Sequence, residues 1–292
     1  MNKNLAEILV GSPFLDELPE SAKRSNKIIS NSSVPIQNLE EITQYIWEHM
    51  NKVNMVYIFT GFYTKNGYET DGPVGALILA EFFIKAKIPV HICCENDLLE
   101  IMRPIASELS LPKLIAFTHI EKLNEKKNSM FFTIERPGEN SKGICHSMDG
   151  QKITHPILPL ESEIQKNPPK AWIAIGDGGN ELGTGYYRNT IEEIIQYGKN
   201  CNCGCKGGIA ANKLADRCIL STTSNFGAIS LSLELAKQKK IEWNVPADKV
   251  TQFISILNKH GIKDGVTGED GTVDGISAKL RNKMYDLLKL LF

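Results

Sequence analysis

Six short apolar runs, each followed by polar or helically spaced residues, constrain this chain more than any other feature. They are Asn54–Thr60, Ile88–Cys94, Lys113–Thr118, Met130–Ile134, Ala171–Ile175 and Arg217–Thr223. Runs so apolar suit strands buried on both faces, the usual state of a strand in a parallel sheet. Between them Leu39, Ile42, Ile46 and Met50 recur at helical spacing, with Glu40 and Glu41 in the favourable first turn. Pro73 opens a second helix, with Val74, Leu77, Ile78 and Phe82 on one side. Further helices are expected over Asp97–Leu109, where Pro104 intervenes, near Ile191–Tyr197, from Pro246 to Gly261, and from Ile276 to Leu291. Residues 226–236 fit both a strand and a helix; the lysines that follow favour a helix C-terminus. Alternating strands and helices give right-handed crossovers and a mostly parallel sheet, hence an α/β fold. The expected organisation is an irregular lead-in over residues 1–35 and a single α/β domain over residues 36–292, with long loops over the C-terminal edge of the sheet.

Composition excludes several classes of function. A net charge of −1 offers no basic surface for nucleic acid. No apolar run approaches the roughly 20 residues that span a bilayer, and the N-terminus lacks a signal-like apolar core. A cytoplasmic protein acting on a small molecule is the expectation, with homo-oligomerisation left open. Seven cysteines make no secreted disulfide framework. Cys201, Cys203 and Cys205, with Cys218 as a fourth, are close enough in sequence for a metal, but C-x-C-x-C departs from the usual zinc spacing. The segment therefore reads as a flexible loop in a reducing compartment.

The chemistry points to strand exits, where ligands bind in open α/β sheets. Ala171–Ile175 ends at Gly-Asp-Gly-Gly, which breaks a strand and brings Asp177, Asn180 and Glu181 together. Asn54–Thr60 discharges at Gly61 into a loop carrying Glu69 and Asp71. If the sheet is parallel, both exits open on the same edge. Acids crowded in a cleft repel, and a hard divalent cation with oxygen ligands, Mg²⁺ or Mn²⁺, relieves this. The plainer alternatives are Asp71 as a cap for the helix opened by Pro73 and Glu69 as a solvated charge. Met130–Ile134 exits at Glu135 and Arg136, whose planar fork suits an anionic substrate or, equally, a surface ion pair. Gly61, Gly178 and Gly179 would let backbone approach a ligand, and Asn225 is either a helix cap or a substrate contact. Asp264, Asp270 and Asp274 do not match an EF-hand, and His146 and His155 read as solvated loop histidines.

ETDGPVGALILA (Glu69–Ala80), ERPG (Glu135–Gly138), IGDGGNELGTG (Ile175–Gly185), SNFGA (Ser224–Ala228) and DGVTGEDGTVDG (Asp264–Gly275) resemble, in this order, the motifs of the D-glutamate cyclase family. The similarity is to its C-terminal domain, in the form that also occurs as a stand-alone microbial protein. Thr184 and Phe226 stand where that family usually has Met and Trp. The resemblance implies a Rossmann-like three-layer α/β sandwich with an acidic metal-binding cavity, and a lyase that cyclises D-glutamate to 5-oxo-D-proline with loss of water. On this reading Asp71, Asp177, Asn180 and Glu181 hold the metal. Glu69, Glu135 and Glu181 supply acid–base groups, and Arg136 holds the α-carboxylate. The alternatives are a Mg-dependent phosphatase-like hydrolase, for which GDGGNE is suggestive but a DxDx motif is absent, or a non-catalytic metal or small-molecule binder.

Overall fold

The computed structural model describes residues 7–108, 114–116 and 128–292. Its central sheet contains β1 (Met55–Thr60), β4 (Val90–Cys94), β5 (Leu114–Ala116), β6 (Ser129–Ile134), β7 (Ala171–Gly176) and β8 (Arg217–Leu220). A small antiparallel hairpin, β2 (Tyr63–Thr64) and β3 (Gly67–Tyr68), follows β1. The expected strand residues Lys113, Phe117 and Thr118, and the expected helix end at Leu109, lie outside the described residues.

Every pairing in the main sheet is parallel, and the strand order is β5-β4-β1-β6-β7-β8. The chain therefore builds outward from β1 in one direction, then returns and builds outward from β6 in the other. The loops leaving β1 and β6 diverge at that switch point and open a crevice over the carboxyl ends of the strands. β7 adjoins β6, so the exits of β1, β6 and β7 border the same crevice.

One face of the sheet, with Val56, Ile58, Ile92, Phe132 and Ile173, packs into the main core. It is covered by α3 (Pro73–Lys85) and α7 (Ser224–Lys239), with α2 (Leu39–Met50), α4 (Asn96–Glu108), α8 (Ala247–Lys259) and α9 (Ala278–Lys289) around them. A Cβ on Gly75 would come within 2.9 Å of the Ala228 Cβ. That position must stay small for α3 and α7 to approach. The ambiguity at 226–236 now has a physical cause. α7 is buried from Ser224 to Ala236, on every side of the helix, so apolar residues occupy all phases and no single period emerges. Replacing one such residue, Leu231, by Ala would cost about 2–5 kcal/mol.

The opposite face carries Tyr57, Phe59, Phe131, Trp172 and Ala174. Among the described residues it is covered by α5 (Leu160–Lys166) and by irregular chain. The expected helix near Ile191–Tyr197 is α6, Arg188–Ile194; it stops early, and Tyr197 takes a φ of 65°.

The irregular lead-in expected over residues 1–35 is corrected over its described part, residues 7–35. A 3-10 turn at Glu20–Lys23 runs into α1 (Arg24–Asn31). Leu18, Ala22, Ser25 and Ile28 are buried at helical spacing, and Thr222 donates from its backbone N–H to the Leu9 carbonyl at 2.7 Å. This segment packs on the sheet edge because its inward residues, though few, recur with the right period. No helix among the described residues is long and apolar enough to cross a membrane.

Candidate functional site

A cavity of about 420 Å³ opens over the switch point. It is lined by Glu69, Glu135, Asp177, Asn180 and Asp274, facing the cations Arg24 and Lys65. The β1 and β7 exits thus do converge on one edge, with the β6 exit between them.

Glu69 and Asp71 are held by the loop at 263–275. Thr70 donates its N–H to the Lys263 carbonyl at 2.9 Å and its hydroxyl to the Thr272 carbonyl at 3.1 Å. Asp71 does not cap the helix opened by Pro73, whose N-cap is Gly72. Instead its carboxylate accepts the Ser224 N–H at 2.7 Å and the Asn225 N–H at 2.8 Å. It thereby satisfies the free donors at the start of α7, where negative charge is favoured. Asn225 does not cap its own helix and does not line the cavity; its side chain serves the start of α3. Its Oδ1 accepts from Gly72 and Gly75 at 3.0 and 2.7 Å, and its Nδ2 donates to the Thr70 carbonyl at 2.9 Å. The cap of α7 is Thr223, which accepts from Phe226 at 3.1 Å.

At the β6 exit Glu135 adopts a φ of 45°, and its Oε2 accepts the Ser224 hydroxyl at 2.6 Å. A Cβ on Gly72 would sit 2.6 Å from the Glu135 Cβ, and Gly72 itself has a φ of 92°. Only glycine lets the β1 and β6 exits touch there.

At the β7 exit the Glu181 carboxylate folds back on its own turn, accepting N–H groups from Asp177 at 3.2 Å and from Gly178 and Gly179 at 2.7 Å each. Glu181 therefore shapes the turn that presents Asp177. The glycines expected to touch a ligand serve packing instead. A Cβ on Gly179 would meet the Ile191 side chain at 2.0 Å, and one on Gly61 would meet Leu98 at 2.6 Å. Gly61, Gly178, Gly179 and Asn225 do not line the cavity.

Arg136 is also placed elsewhere. It is buried and forms a two-pronged pair with Glu95, Nη1 to Oε2 at 2.7 Å and Nη2 to Oε1 at 2.5 Å. It lines a separate cavity of about 240 Å³. The cation among the acids is Arg24 of α1, with Nη2 3.4 Å from Asp177 Oδ2 and 3.8 Å from Asp274 Oδ1.

Sequence reading missed both Arg24 and Asp274. Arg24 lies in the segment taken as a lead-in, where the spacing of Leu18, Ala22, Ser25 and Ile28 was the available signal. Asp274 belongs to the glycine-rich loop set aside as a poor EF-hand. Asp264 organises that loop: Oδ1 accepts from Val266 at 2.7 Å and Thr267 at 3.1 Å, and Oδ2 accepts from Gly275 at 2.8 Å. The loop then presents Asp274 in left-handed backbone, with a φ of 52°.

Burial penalises charge on Glu69, Asp71, Glu135, Asp177 and Asp274, and neighbouring acids raise each of them further. Asp71 is pushed up to about 8, by burial first and Asp177 next. Glu69, Glu135 and Asp274 lie well above the ordinary carboxylate range for the same reasons, with Asp71, Glu181 and Asp71 respectively as the leading neighbour. Burial raises Asp177 too, and Arg24 pulls against it. The Arg24 guanidinium is destabilised by burial, but Asp177 and Asp274 outweigh this and hold it charged.

The donors fit a hard cation. Carboxylate oxygens of Asp71, Asp177 and Asp274, and of Glu135, Asp177 and Glu181, form two groups whose ligand atoms all lie within 4.8 Å of one another. Asp274 Oδ2 and Asn180 Oδ1 are buried with no hydrogen-bond partner among the described residues. Such orphaned oxygens beside crowded acids are what an oxygen-coordinated divalent ion satisfies.

Residues 19–289 match the family described as D-glutamate cyclase-like, C-terminal. The chain is also 24% identical, over 293 residues, to the human mitochondrial D-glutamate cyclase; the match covers 82% of this chain and 46% of that protein. It spans about half the length of the curated relative it matches. The order of the ETDG, GDGGNE and SNFG segments around one crevice and the match over nearly the whole chain agree: this chain belongs to the D-glutamate cyclase-like, C-terminal family.

Proposed function

We propose that this protein is a lyase that cyclises D-glutamate to 5-oxo-D-proline with loss of water, using Mg²⁺ or Mn²⁺. The observation that carries the reading is Arg24, a buried cation beside an all-oxygen acidic cluster in a cavity of about 420 Å³. A dicarboxylic amino acid presents what such a cavity can bind: one carboxylate for a guanidinium, another for a metal.

Asp71, Asp177 and Asp274 would hold the ion, with Asn180, Glu135 and Glu181 alongside. Bound there, it supplies Lewis-acid polarisation of the γ-carboxylate, an otherwise poor electrophile. Arg24 takes the part first expected of Arg136 and pairs with the α-carboxylate. This orients the α-nitrogen toward the γ-carbon and lowers the entropic cost of ring closure. A nitrogen–carbon bond forms and a carbon–oxygen bond breaks. The ammonium gives up two protons, and both end on the departing oxygen, which leaves as water. One carboxyl group that accepts and then donates balances these transfers. Glu69 suits that relay, because it lines the cavity while the carboxylates of Asp71 and Glu181 are occupied by backbone N–H groups.

The test is incubation of the purified protein with D-glutamate and Mn²⁺ or Mg²⁺, with 5-oxoproline measured by chromatography. L-Glutamate and a generic phosphate ester serve as parallel substrates. Metal-dependent formation of 5-oxo-D-proline is the expected result. Hydrolysis of the ester alone, or metal binding with no turnover of any substrate, would overturn the cyclase reading.

A further inference from the structure

The cysteine segment does not lie apart from the fold. Cys201, Cys203 and Cys205 gather around His146, which comes from the long loop between β6 and β7. The Cys201 sulfur is 3.3 Å from that of Cys203 and 3.2 Å from that of Cys205. His146 Nε2 is 3.0 Å from the Cys203 sulfur and 3.8 Å from that of Cys205. Cys218, the residue first considered as a fourth partner, is instead buried with Ile28, Tyr187 and Ile191.

Three features go beyond proximity. His146 is buried, and its Nδ1 lies 3.1 Å from the Ile144 carbonyl. That carbonyl, which can only accept, is nearer to Nδ1 than the Asn140 amide nitrogen at 3.5 Å, so the geometry favours the tautomer with its proton on Nδ1 and the Nε2 lone pair toward the sulfurs. A backbone carbonyl fixes metal-binding histidines in this way. Second, the Cys205 sulfur receives N–H groups from Gly207 at 3.4 Å and Asn140 at 3.5 Å, the kind of outer hydrogen bonds that orient a metal ligand. Third, Gly204 and Lys206 take φ values of 81° and 60°. These reversals turn the chain back between and after the cysteines, so an unusual spacing still brings three sulfurs to one point.

We propose that His146, Cys201, Cys203 and Cys205 bind a structural zinc ion. Three sulfurs and one imidazole are a closed tetrahedral set for Zn²⁺. Bond lengths of about 2.3 Å to sulfur and about 2.0 Å to nitrogen correspond to ligand–ligand edges of roughly 3.5–3.8 Å. The cluster need expand only slightly to admit the ion. A disulfide accounts for less, because Cys201 is equally close to both partners and a pairing would strand the third sulfur beside His146.

The site joins two walls of the acidic cavity. Ser147, Met148 and Asp149, directly after His146, line it, as do Gln196 and Tyr197 before the cysteines. The His146 carbonyl accepts from Asn180 Nδ2 at 2.9 Å. Zinc here staples the Ser147–Gly150 turn to the cysteine loop and so fixes Asn180. The assignment is independent of the substrate and of the reaction.

The experiment measures metal content by mass spectrometry after expression with added zinc and gel filtration with reductant. Close to one zinc per chain is expected, lost in Cys203→Ser and Cys205→Ser and kept in Cys145→Ser. Cys145 is free, and its sulfur lies outside the cluster. If the serine variants do not fold, cobalt reconstitution of the wild-type chain decides: tetrahedral thiolate ligation gives an intense sulfur-to-cobalt charge-transfer spectrum. Zinc-free protein with no such spectrum overturns the proposal. So does zinc retained in folded Cys203→Ser and Cys205→Ser, or a Cys201 disulfide in protein purified without reductant.

Discussion

Arg136 and Arg24 are both buried beside carboxylates, yet their surroundings differ in kind. Arg136 meets a single acid, Glu95, through two parallel hydrogen bonds at 2.7 and 2.5 Å, and Glu95 also accepts the Leu158 N–H at 3.1 Å. Charge is matched there one to one, and both Nη groups are bonded, while Arg136 Nε has no hydrogen-bond partner among the described residues. Arg24 meets Asp177 and Asp274 at 3.4 and 3.8 Å, amid further acids that one guanidinium cannot neutralise. The first arrangement holds chain segments together; the second is a cavity with unspent negative charge. A matched buried pair is a structural joint, whereas an unmatched cluster is preserved for something that arrives.

The largest effect should come from breaking the joint. Arg136→Met leaves Glu95 buried without its partner and should cost about 3–5 kcal/mol in urea unfolding. Replacing both residues by apolar ones should recover much of that loss. A double variant as unstable as the single one would show that the pair does more than balance charge.

Arg24→Gln should act on substrate rather than on fold. Loss of a charge-assisted contact of about 2–3 kcal/mol lowers kcat/KM for D-glutamate roughly 30- to 160-fold, chiefly through KM. Unfolding of the Mn²⁺-loaded variant should change by less than about 1 kcal/mol. If stability fell as far as in Arg136→Met, the contrast between the two arginines would fail.

Asp274→Asn removes one anionic ligand and should weaken Mn²⁺ binding on the order of tenfold by titration calorimetry. Unchanged affinity would remove Asp274 from the metal group.

The smallest effect expected is a pH slope. Asp71 sits at about 8 in the folded, metal-free chain against an ordinary 3.8. Between those values the unfolded chain binds fewer protons, so stability falls as pH rises. Metal-free protein should therefore lose a few degrees of Tm from about pH 5 to pH 8. Saturating Mn²⁺ should flatten the slope, because binding to the folded state offsets the repulsion. A metal-free Tm that rises across this range would contradict the picture of an overcharged cavity.

These contrasts mark where sequence reasoning succeeded. Apolar runs revealed the strands because a parallel strand is buried on both faces and cannot hide its composition. Glycine breaks after β1 and β7 located Asp71 and Asp177, because a strand that must turn at a crevice needs such residues. Arg136 misled because a guanidinium at a strand exit looks the same whether it faces a ligand or an acid such as Glu95, which lies far away in the chain. Arg24 was overlooked for the complementary reason: the inward residues of its short segment, Leu18, Ala22, Ser25 and Ile28, keep helical spacing but are few and set among polar ones. Cys201, Cys203 and Cys205 were readable as a group, but nothing near them pointed to His146, contributed by another loop.

The sequence by itself determined the alternation of strand and helix, hence the parallel α/β fold, and the acids at the strand exits. These depend on local composition and period, which neighbouring residues fix among themselves. Only tertiary structure decided which carboxylates also accept backbone donors, as Asp71 and Glu181 do, and which cation faces the cluster. Those outcomes depend on contacts between segments far apart in the chain, where a few ångströms separate a satisfied ion pair from an open site.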